Sequence, residues 1–225
     1  MFNRNTLLIL VAALAAGLGL WAAQVAFAPR QGTAPVVEAT AAPPAAAVDR
    51  AQLKAVRLYP QHRVLPAFAL QQSDGTPLTN DELRGHWTVV FLGFTHCPDV
   101  CPTTLSDLAQ AQKAWQDLPA DRQPRVLFVS VDPERDTPQK TGEYAAYFHP
   151  ATLAATVPEP ALQDFASSLG LVYMKVAGID GDYTMDHSTG LVVIDPQGRQ
   201  AGLIRAPLVP ADIAADLALL ARDAP

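Results

Sequence analysis

The order of segments in this 225-residue chain predicts an α/β domain with three layers around a mixed central sheet. Strand-like apolar segments alternate with amphipathic helical segments through most of the chain, which is typical of a sheet covered by helices. Two strand-like segments near the end, followed by a tight turn, predict an antiparallel hairpin at one side of that sheet. An apolar segment at the N-terminus predicts one transmembrane helix ahead of the domain.

Composition limits the classes of function that the chain can have. The length suits one domain with appendages, and no internal repeat is visible. Hydrophobic residues make up 49% of the chain and charged residues 17%, with a net charge of −6. A nucleic-acid-binding protein would carry a basic patch to contact phosphates, so nucleic acid is excluded as a partner.

Residues 1–28 are predicted to be a membrane anchor. The apolar run from Thr6 to Ala28 would measure roughly 34 Å as a helix, enough to cross a bilayer core of about 30 Å. A cleaved signal segment is the alternative, because Ala26 and Ala28 resemble a small-residue cleavage site. Pro29 would follow that cut and the run exceeds a signal-peptide core, so an uncleaved anchor is favoured, with the domain outside the cytoplasm.

Residues 29–58 are predicted to be a flexible tether, and residues 59–225 the folded domain. The tether is rich in Ala and Pro and lacks both aromatic residues and hydrophobic periodicity over most of its length. Such a segment would hold the domain near the bilayer and let it reach a membrane-bound partner.

The first half of the domain is predicted to contain two strands and a long helix. LPAFALQQSDGTPL is a candidate strand with a turn at Ser73-Asp74-Gly75, and TNDELRG is a candidate short helical turn capped by Thr79 or Asn80. HWTVVFLGF is continuously apolar, which indicates a buried central strand. PTTLSDLAQAQKAWQDL has apolar residues at helical spacing, and Pro102 suits the first position of that helix.

The second half continues the alternation. RVLFVSVD is a second buried strand, and TPQKTGEYAAYF and EPALQDFASSLG are helices, the latter ended by Gly170. LVYMKV and GLVVIDPQG are candidate strands separated by a GDYTMDHS loop, with a turn at Pro196-Gln197-Gly198. PADIAADLALLARD is the closing helix.

Cys97 and Cys101 are the two cysteines of the chain, and they lie in GFTHCPDVCPTTL. They follow the predicted central strand at the start of the long helix, a place where α/β folds commonly build sites. Four-residue spacing can bring both sulfurs to one side, and the positive end of the helix favours thiolates.

Several kinds of chemistry remain open for this pair. A structural disulfide would close a small loop and stabilise little. A redox couple is compatible with the residues, although thioredoxin-type reductases use Cys-x-x-Cys and this chain has Cys-x-x-x-Cys. Zinc is poorly supported, because structural zinc takes four nitrogen or sulfur ligands. Two thiolates and one imidazole would suit copper.

The third ligand would come from one of five histidines. His187 ranks modestly above the others, because it precedes a buried strand and Asp186 and Ser188 could orient it. His62 and His86 are expected to be exposed. His96 is expected to point away from the neighbouring Cys97, and His149 is expected to interact with the C-terminal end of a helix.

Three motifs occur in a fixed order along residues 64–222. They are PAFALQQSDGTPLTNDELRGHWTVVFLGFTHCPDVCPTTL, VLFVSVDPERDTP and MDHSTGLVVIDPQG. This ordered set resembles the Sco/SenC family of copper-binding proteins, and the anchor and tether suit that family as well. The resemblance implies a thioredoxin-like three-layer fold.

The resemblance also implies the site and its role. Cys97, Cys101 and His187 take the positions of the family's ligands for one copper ion, as Cu(I) or Cu(II), and the two cysteines can form a redox-active disulfide. The chain would be a metallochaperone rather than an enzyme, and it would deliver copper to the binuclear site of cytochrome c oxidase subunit II. The alternative is a thiol–disulfide oxidoreductase that reduces the cysteines of that site or of another extracytoplasmic protein.

The cellular setting follows from the same resemblance. The expected location is a bacterial-type inner membrane with the domain in the periplasm, where an upstream copper donor would load the protein.

Acidic residues and methionines near these motifs are further candidates. Asp132 could end its strand and Asp136 could cap the next helix, while either of them, or Asp186, could orient His187 or contact the partner. Met185 stands where the family more often has Val and is expected to pack rather than bind copper. Met174 is expected in the core.

Overall fold

The computed structural model describes residues 50–178 and 181–222, together with residue 3. The predicted anchor and the tether up to residue 49 lie outside these residues, apart from residue 3. Within the described ranges, no helix is both long enough and apolar enough to cross a membrane.

Within the described residues, ten strands form two separate sheets. Eight of them make one mixed sheet in the order β1-β10-β9-β4-β5-β6-β2-β3, while β7 and β8 pair with each other. Strands β4, β5 and β6 are parallel neighbours, and the other pairs are antiparallel. The strands are β1 Val56–Val64, β2 Ala69–Gln72, β3 Pro77–Thr79, β4 Thr88–Gly93, β5 Arg125–Ser130, β6 Leu153–Thr156, β7 Tyr173–Ala177, β8 Tyr183–His187, β9 Leu191–Ile194 and β10 Arg199–Ile204.

The centre of the main sheet is apolar on both faces. Every residue of β4 is buried, and so is every residue of β5 except Arg125. Continuous apolar sequence is what a strand needs when helices or loops cover both faces, so this observation confirms the mixed α/β arrangement.

In the part of the chain that the structure describes, four α-helices cover the sheet: α1 Val100–Trp115, α2 Pro138–Phe148, α3 Ala161–Ser168 and α4 Pro210–Arg222. Helices α1 and α4 are joined where the Trp115 indole donates a hydrogen bond to the Ala214 carbonyl at 3.0 Å. The buried Asp216 carboxylate of α4 accepts the backbone N–H groups of residues 54–56, which ties α4 to the start of β1.

Two boundaries differ from the sequence prediction. Strand β1 begins at Val56, before the predicted domain start at residue 59, because Leu53 and Val56 already belong to the core. Helix α1 begins at Val100, so Pro102 occupies its third position rather than its first. In both cases the strand or helix begins a few residues earlier than the sequence predicts.

TNDELRG forms consecutive turns after the end of β3, in keeping with the predicted short helical turn. The Thr79 hydroxyl accepts the Asp81 amide, and the Glu82 carboxylate accepts the Thr79 amide and hydroxyl, as in a capping box. Two other elements differ from the prediction. Strand β6 was not predicted. The predicted GDYTMDHS loop is mostly strand β8, which pairs with β7, so His187 lies at a strand end.

Candidate metal centre

The two cysteines lie where β4 gives way to α1. β4 ends at Gly93, and the Cys97 amide donates to the Phe94 carbonyl at 3.3 Å, which turns the chain back toward the sheet. The Cys101 amide then donates to the Cys97 sulfur at 3.3 Å. The Cys97 sulfur therefore sits at the N-terminal end of α1, where backbone N–H groups are unpaired within the helix. Both thiols are free.

The environments of the two thiols differ. Cys101 is fully buried, whereas Cys97 is half-buried. Burial raises the pKa of the Cys101 thiol far above its ordinary value, and a hydrogen bond with Cys97 adds to the effect. Desolvation thus outweighs the helix end, and the expectation that this position favours a thiolate is wrong for Cys101 in the metal-free state.

Gly93 leaves room for the buried sulfur. A Cβ atom at this position would lie 3.0 Å from Cys101 Sγ and 2.8 Å from Phe128 Cε2. Contacts that short would force the sulfur or the ring to move, so the last residue of β4 has to lack a side chain.

His187 reaches the thiols from the end of β8. Its ring packs edgewise against Phe91 and Phe94, with centroid distances of 6.0 and 6.1 Å. Its Nδ1 lies 3.0 Å from the Ser188 carbonyl, and its Nε2 lies 3.4 Å from Cys101 Sγ. A carbonyl can only accept, so Nδ1 carries a proton, and in the neutral ring the Nε2 lone pair then faces the sulfur.

The three side chains together have the dimensions of a metal site. The two sulfurs and a His187 ring nitrogen all lie within 4.8 Å of one another. The centre of an equilateral triangle of that size would be about 2.8 Å from each corner, so a small contraction gives metal–sulfur bonds of about 2.3 Å. Two thiols and one imidazole match the ligand preference of copper.

Asp136 holds the loop that carries Cys97. Its fully buried carboxylate accepts the Thr95 amide at 2.8 Å, the Thr95 hydroxyl at 2.5 Å and the Ser130 hydroxyl at 2.6 Å. These bonds join the thiol loop to the end of β5. The cap of α2 is Thr137, whose side chain accepts the Lys140 amide, so the prediction that Asp136 caps this helix is wrong.

Asp132 contacts the hairpin that carries His187. Its carboxylate accepts the Tyr183 hydroxyl at 2.8 Å and forms an ion pair with Arg135. Arg135 in turn donates to the Tyr183 carbonyl at 3.0 Å and lies over the Tyr183 ring. Neither Asp132 nor Asp136 has a hydrogen bond to His187 in the part of the chain that the structure describes.

Asp186 and His96, two further candidates, are both exposed. Asp186 is exposed and makes no hydrogen bond to His187 within the described ranges; the Ser188 carbonyl takes that place. His96 is exposed, with ring nitrogens near the Thr95 hydroxyl and Lys140. His96, Asp132 and Asp136 also cluster, but both carboxylates already accept hydrogen bonds from several protein donors.

The remaining histidines have protein partners away from the thiols. His62 and His86 are half-buried rather than exposed, because their Nδ1 atoms pair with the Asp195 carboxylate at 2.7 Å and the Gln123 carbonyl at 2.9 Å. His149 follows the last residue of α2, but burial and then the charge of Lys113 lower its pKa. A neutral His149 cannot be the cationic partner that was predicted for this helix end.

Met174 and Met185 differ in burial. Met185 is buried with the core, as expected. Met174 is 60% exposed, so the prediction that it belongs to the core is wrong. It lies opposite Asp186 in the β7–β8 hairpin, and both side chains are exposed.

The chain is similar in sequence to a known protein family and to several of its relatives. The SCO1/SenC family model matches residues 57–222. A relative in Stutzerimonas stutzeri, named as a candidate copper-binding protein, is 36% identical over 170 residues, which cover 73% of this chain and 82% of the relative. The mitochondrial SCO1 homolog 1 of Arabidopsis thaliana is 40% identical over 131 residues, 58% of this chain but 39% of the relative.

A solved structure gives the corresponding result for the fold. The copper-bound structure of Bradyrhizobium japonicum ScoI is 34% identical, covers 68% of this chain and 97% of that chain, and superposes with a TM-score of 0.63. This agreement confirms the predicted thioredoxin-like α/β fold with a mixed sheet.

Proposed function

This chain belongs to the SCO1/SenC family, and from that premise we propose that it is a copper chaperone whose cargo is bound by Cys97, Cys101 and His187. The observation that supports this most strongly is the approach of three ligand atoms within 4.8 Å beside the core. The ScoI structure solved with copper bound supports copper as the metal.

Loading the site requires two protons to leave. Each thiol gives up its proton to solvent and becomes a thiolate ligand, with no electron transferred. Burial raises the pKa of Cys101, so its thiol keeps its proton until a metal compensates the buried negative charge. In the neutral imidazole of His187, Nδ1 donates to the Ser188 carbonyl, which leaves the Nε2 lone pair to bind the metal.

Release uses the difference in exposure between the thiols. Cys97 is half-buried and reachable, whereas Cys101 is enclosed. A cysteine or histidine of a partner would replace Cys97 first, and copper would then pass by ligand exchange without a chemical turnover. This is why the proposal is a carrier rather than an enzyme.

The recipient and the location are parts of the same proposal. We infer delivery to the binuclear copper site of cytochrome c oxidase subunit II, loading by an upstream periplasmic donor, and anchoring of the domain to the bacterial inner membrane by residues 1–28. Support for these points is the family membership and the apolar N-terminal sequence.

A thiol–disulfide oxidoreductase is the second candidate. It is favoured by two free thiols that differ in their exposure to solvent. The more exposed Cys97 would attack a substrate disulfide, and Cys101 would resolve the mixed disulfide, which leaves the substrate reduced and this pair oxidised. That exchange has no direct use for the imidazole of His187.

Titration of the reduced full-length chain with Cu(I) against a competing chelator tests the proposal. One ion per chain should be retained, with large losses in Cys97→Ser and Cys101→Ser and a smaller loss in His187→Ala. His149→Ala is the matched control and should bind like the wild type, because its ring lies away from the thiols. Weak binding indifferent to His187, together with rapid reduction of a model disulfide, would instead favour the oxidoreductase.

A further inference from the structure

The proposed ligands belong to two structural parts that are held separately. Cys97 and Cys101 lie between β4 and α1 of the main sheet, whereas His187 lies on the β7–β8 hairpin. Strands β7 and β8 pair with no strand of the main sheet in the described ranges. Since an isolated two-stranded hairpin is marginally stable, the position of His187 depends on side-chain contacts between the hairpin and the rest of the domain.

The most enclosed of these polar contacts joins Tyr183 to Asp132. Asp132 is 2% exposed and lies two residues beyond the end of β5, and its carboxylate also forms an ion pair with Arg135. Burial and then the hydrogen bond to Asp132 raise the pKa of Tyr183 to about 12, so the hydroxyl keeps its proton and donates at neutral pH. Arg135 adds a second attachment through the Tyr183 carbonyl.

Strand β8 connects Tyr183 to His187, so the contact between Tyr183 and Asp132 bears on the position of His187. The two residues are four apart in β8, so their side chains lie on the same face of the hairpin, together with the buried Met185. A shift of Tyr183 away from Asp132 would therefore move the face that presents the imidazole to Cys101.

Other polar links of the hairpin are more exposed. Lys175 pairs with Glu134, and the side chains are 45% and 67% exposed. The Tyr173 hydroxyl donates to Glu159, which is exposed. Exposed pairs of this kind contribute little to position or stability.

We propose that Asp132 and Tyr183 are positioning residues for His187, and that their hydrogen bond sets how strongly the imidazole contributes to copper binding. This inference rests on the proposed function. Two thiolates suffice to hold Cu(I), whereas Cu(II) also draws on the imidazole. The pair accordingly tunes the preference of the site between the two oxidation states without touching the metal.

The test compares Tyr183→Phe with Tyr173→Phe in the full-length chain. Each variant loses one phenolic hydroxyl of the hairpin that donates to a carboxylate outside it. Tyr183→Phe should weaken Cu(II) binding by about tenfold, as expected for loss of one hydrogen bond to a charged group, and change Cu(I) binding by less than about threefold. Tyr173→Phe should leave both affinities within about threefold of the wild type.

A double variant separates positioning from a general structural effect. Once His187→Ala has removed the imidazole, adding Tyr183→Phe should lower Cu(II) affinity no further. An undiminished loss in that background, or equal losses of Cu(I) and Cu(II) affinity, would overturn the inference. Thermal unfolding of the metal-free variants checks that both remain folded.

The outcomes also distinguish this inference from the proposed function. If His187→Ala lowers Cu(II) affinity but Tyr183→Phe does not, only the positioning role fails. If Cys97→Ser and Cys101→Ser bind copper like the wild type, the copper site itself is wrong and the inference fails with it.

Discussion

A histidine lies near each end of the parallel strands β4 and β5. Within the described residues, only the histidine at the carboxyl end has a ring nitrogen that faces thiols. At the carboxyl end, His187 uses Nδ1 to donate to Ser188 and directs Nε2 at Cys101. At the amino end, His149 has protein partners for both ring nitrogens, the Ala151 amide at 3.3 Å and Gln116 at 3.4 Å.

This difference separates a candidate ligand from a structural histidine. Burial alone does not, since His149 is the more buried of the two. What counts is a free lone pair beside other donors, with the proton held on the second nitrogen by a neighbouring acceptor. The amino end also has a cavity that His86 and His149 line, yet no cysteine lines it.

The largest effect is expected from removing the carboxylate that fastens the thiol loop. Asp136→Ala would leave the Thr95 amide, the Thr95 hydroxyl and the Ser130 hydroxyl without their acceptor. The free energy of unfolding should fall by about 3 kcal/mol, because unpaired buried donors cost about 1–3 kcal/mol each and partial relaxation recovers some of this. Urea denaturation measures the change.

Asp186→Ala is the control for that variant. Asp186 is exposed and its replacement should change the free energy of unfolding by less than about 0.5 kcal/mol. Equal stabilities of the two variants would show that Asp136 does not hold the carboxyl end together.

A somewhat smaller effect is expected from filling the space beside Cys101. Gly93→Ala would place a Cβ atom 3.0 Å from the sulfur and 2.8 Å from the Phe128 ring, and overpacking of this kind costs about 2 kcal/mol. Copper affinity should fall as well, because the sulfur has to move. Chelator competition and denaturation measure the two losses.

Gly190→Ala tests whether the effect is specific to that contact. Its new Cβ atom would meet only the Ile204 carbonyl, at an ordinary distance of 3.8 Å, and its stability and copper binding should stay close to those of the wild type. Full copper affinity in Gly93→Ala would contradict the arrangement described for the buried thiol.

The smallest effect is expected at the amino end and depends on pH. The pKa of His149 is lowered from 6.5 by burial, so below that pH the unfolded chain binds a proton that the folded chain resists. Stability present above pH 6.5 is therefore lost as the pH falls, and His149→Gln should lose less between about pH 7.5 and about pH 5.5. Identical losses in the two proteins would contradict a neutral, buried His149.

Sequence patterns predicted the parts of the fold in which local and tertiary preferences agree. β4 and β5 were predicted because nearly every position suits burial, Arg125 being the exception, and α1 because its apolar residues share one face. β8 was mistaken for a loop, since Gly181, Asp182 and Asp186 favour turns and its pairing with β7 creates the strand.

The candidate site was predictable only in part. The spacing of Cys97 and Cys101 marked them as a pair, while His187 stood out through family resemblance and not through spacing. The links of Asp136 to Thr95 and of Asp132 to Tyr183 span 41 and 51 residues, so no local pattern could have indicated them.

X-ray absorption at the copper edge of the loaded, reduced full-length chain tests the central claim most directly, because it identifies the atoms bound to the metal. The claim predicts two sulfur neighbours at about 2.3 Å and one imidazole nitrogen, with one sulfur lost in Cys101→Ser. A shell of nitrogen and oxygen alone, unchanged in Cys101→Ser, would contradict it and place the copper away from the thiols.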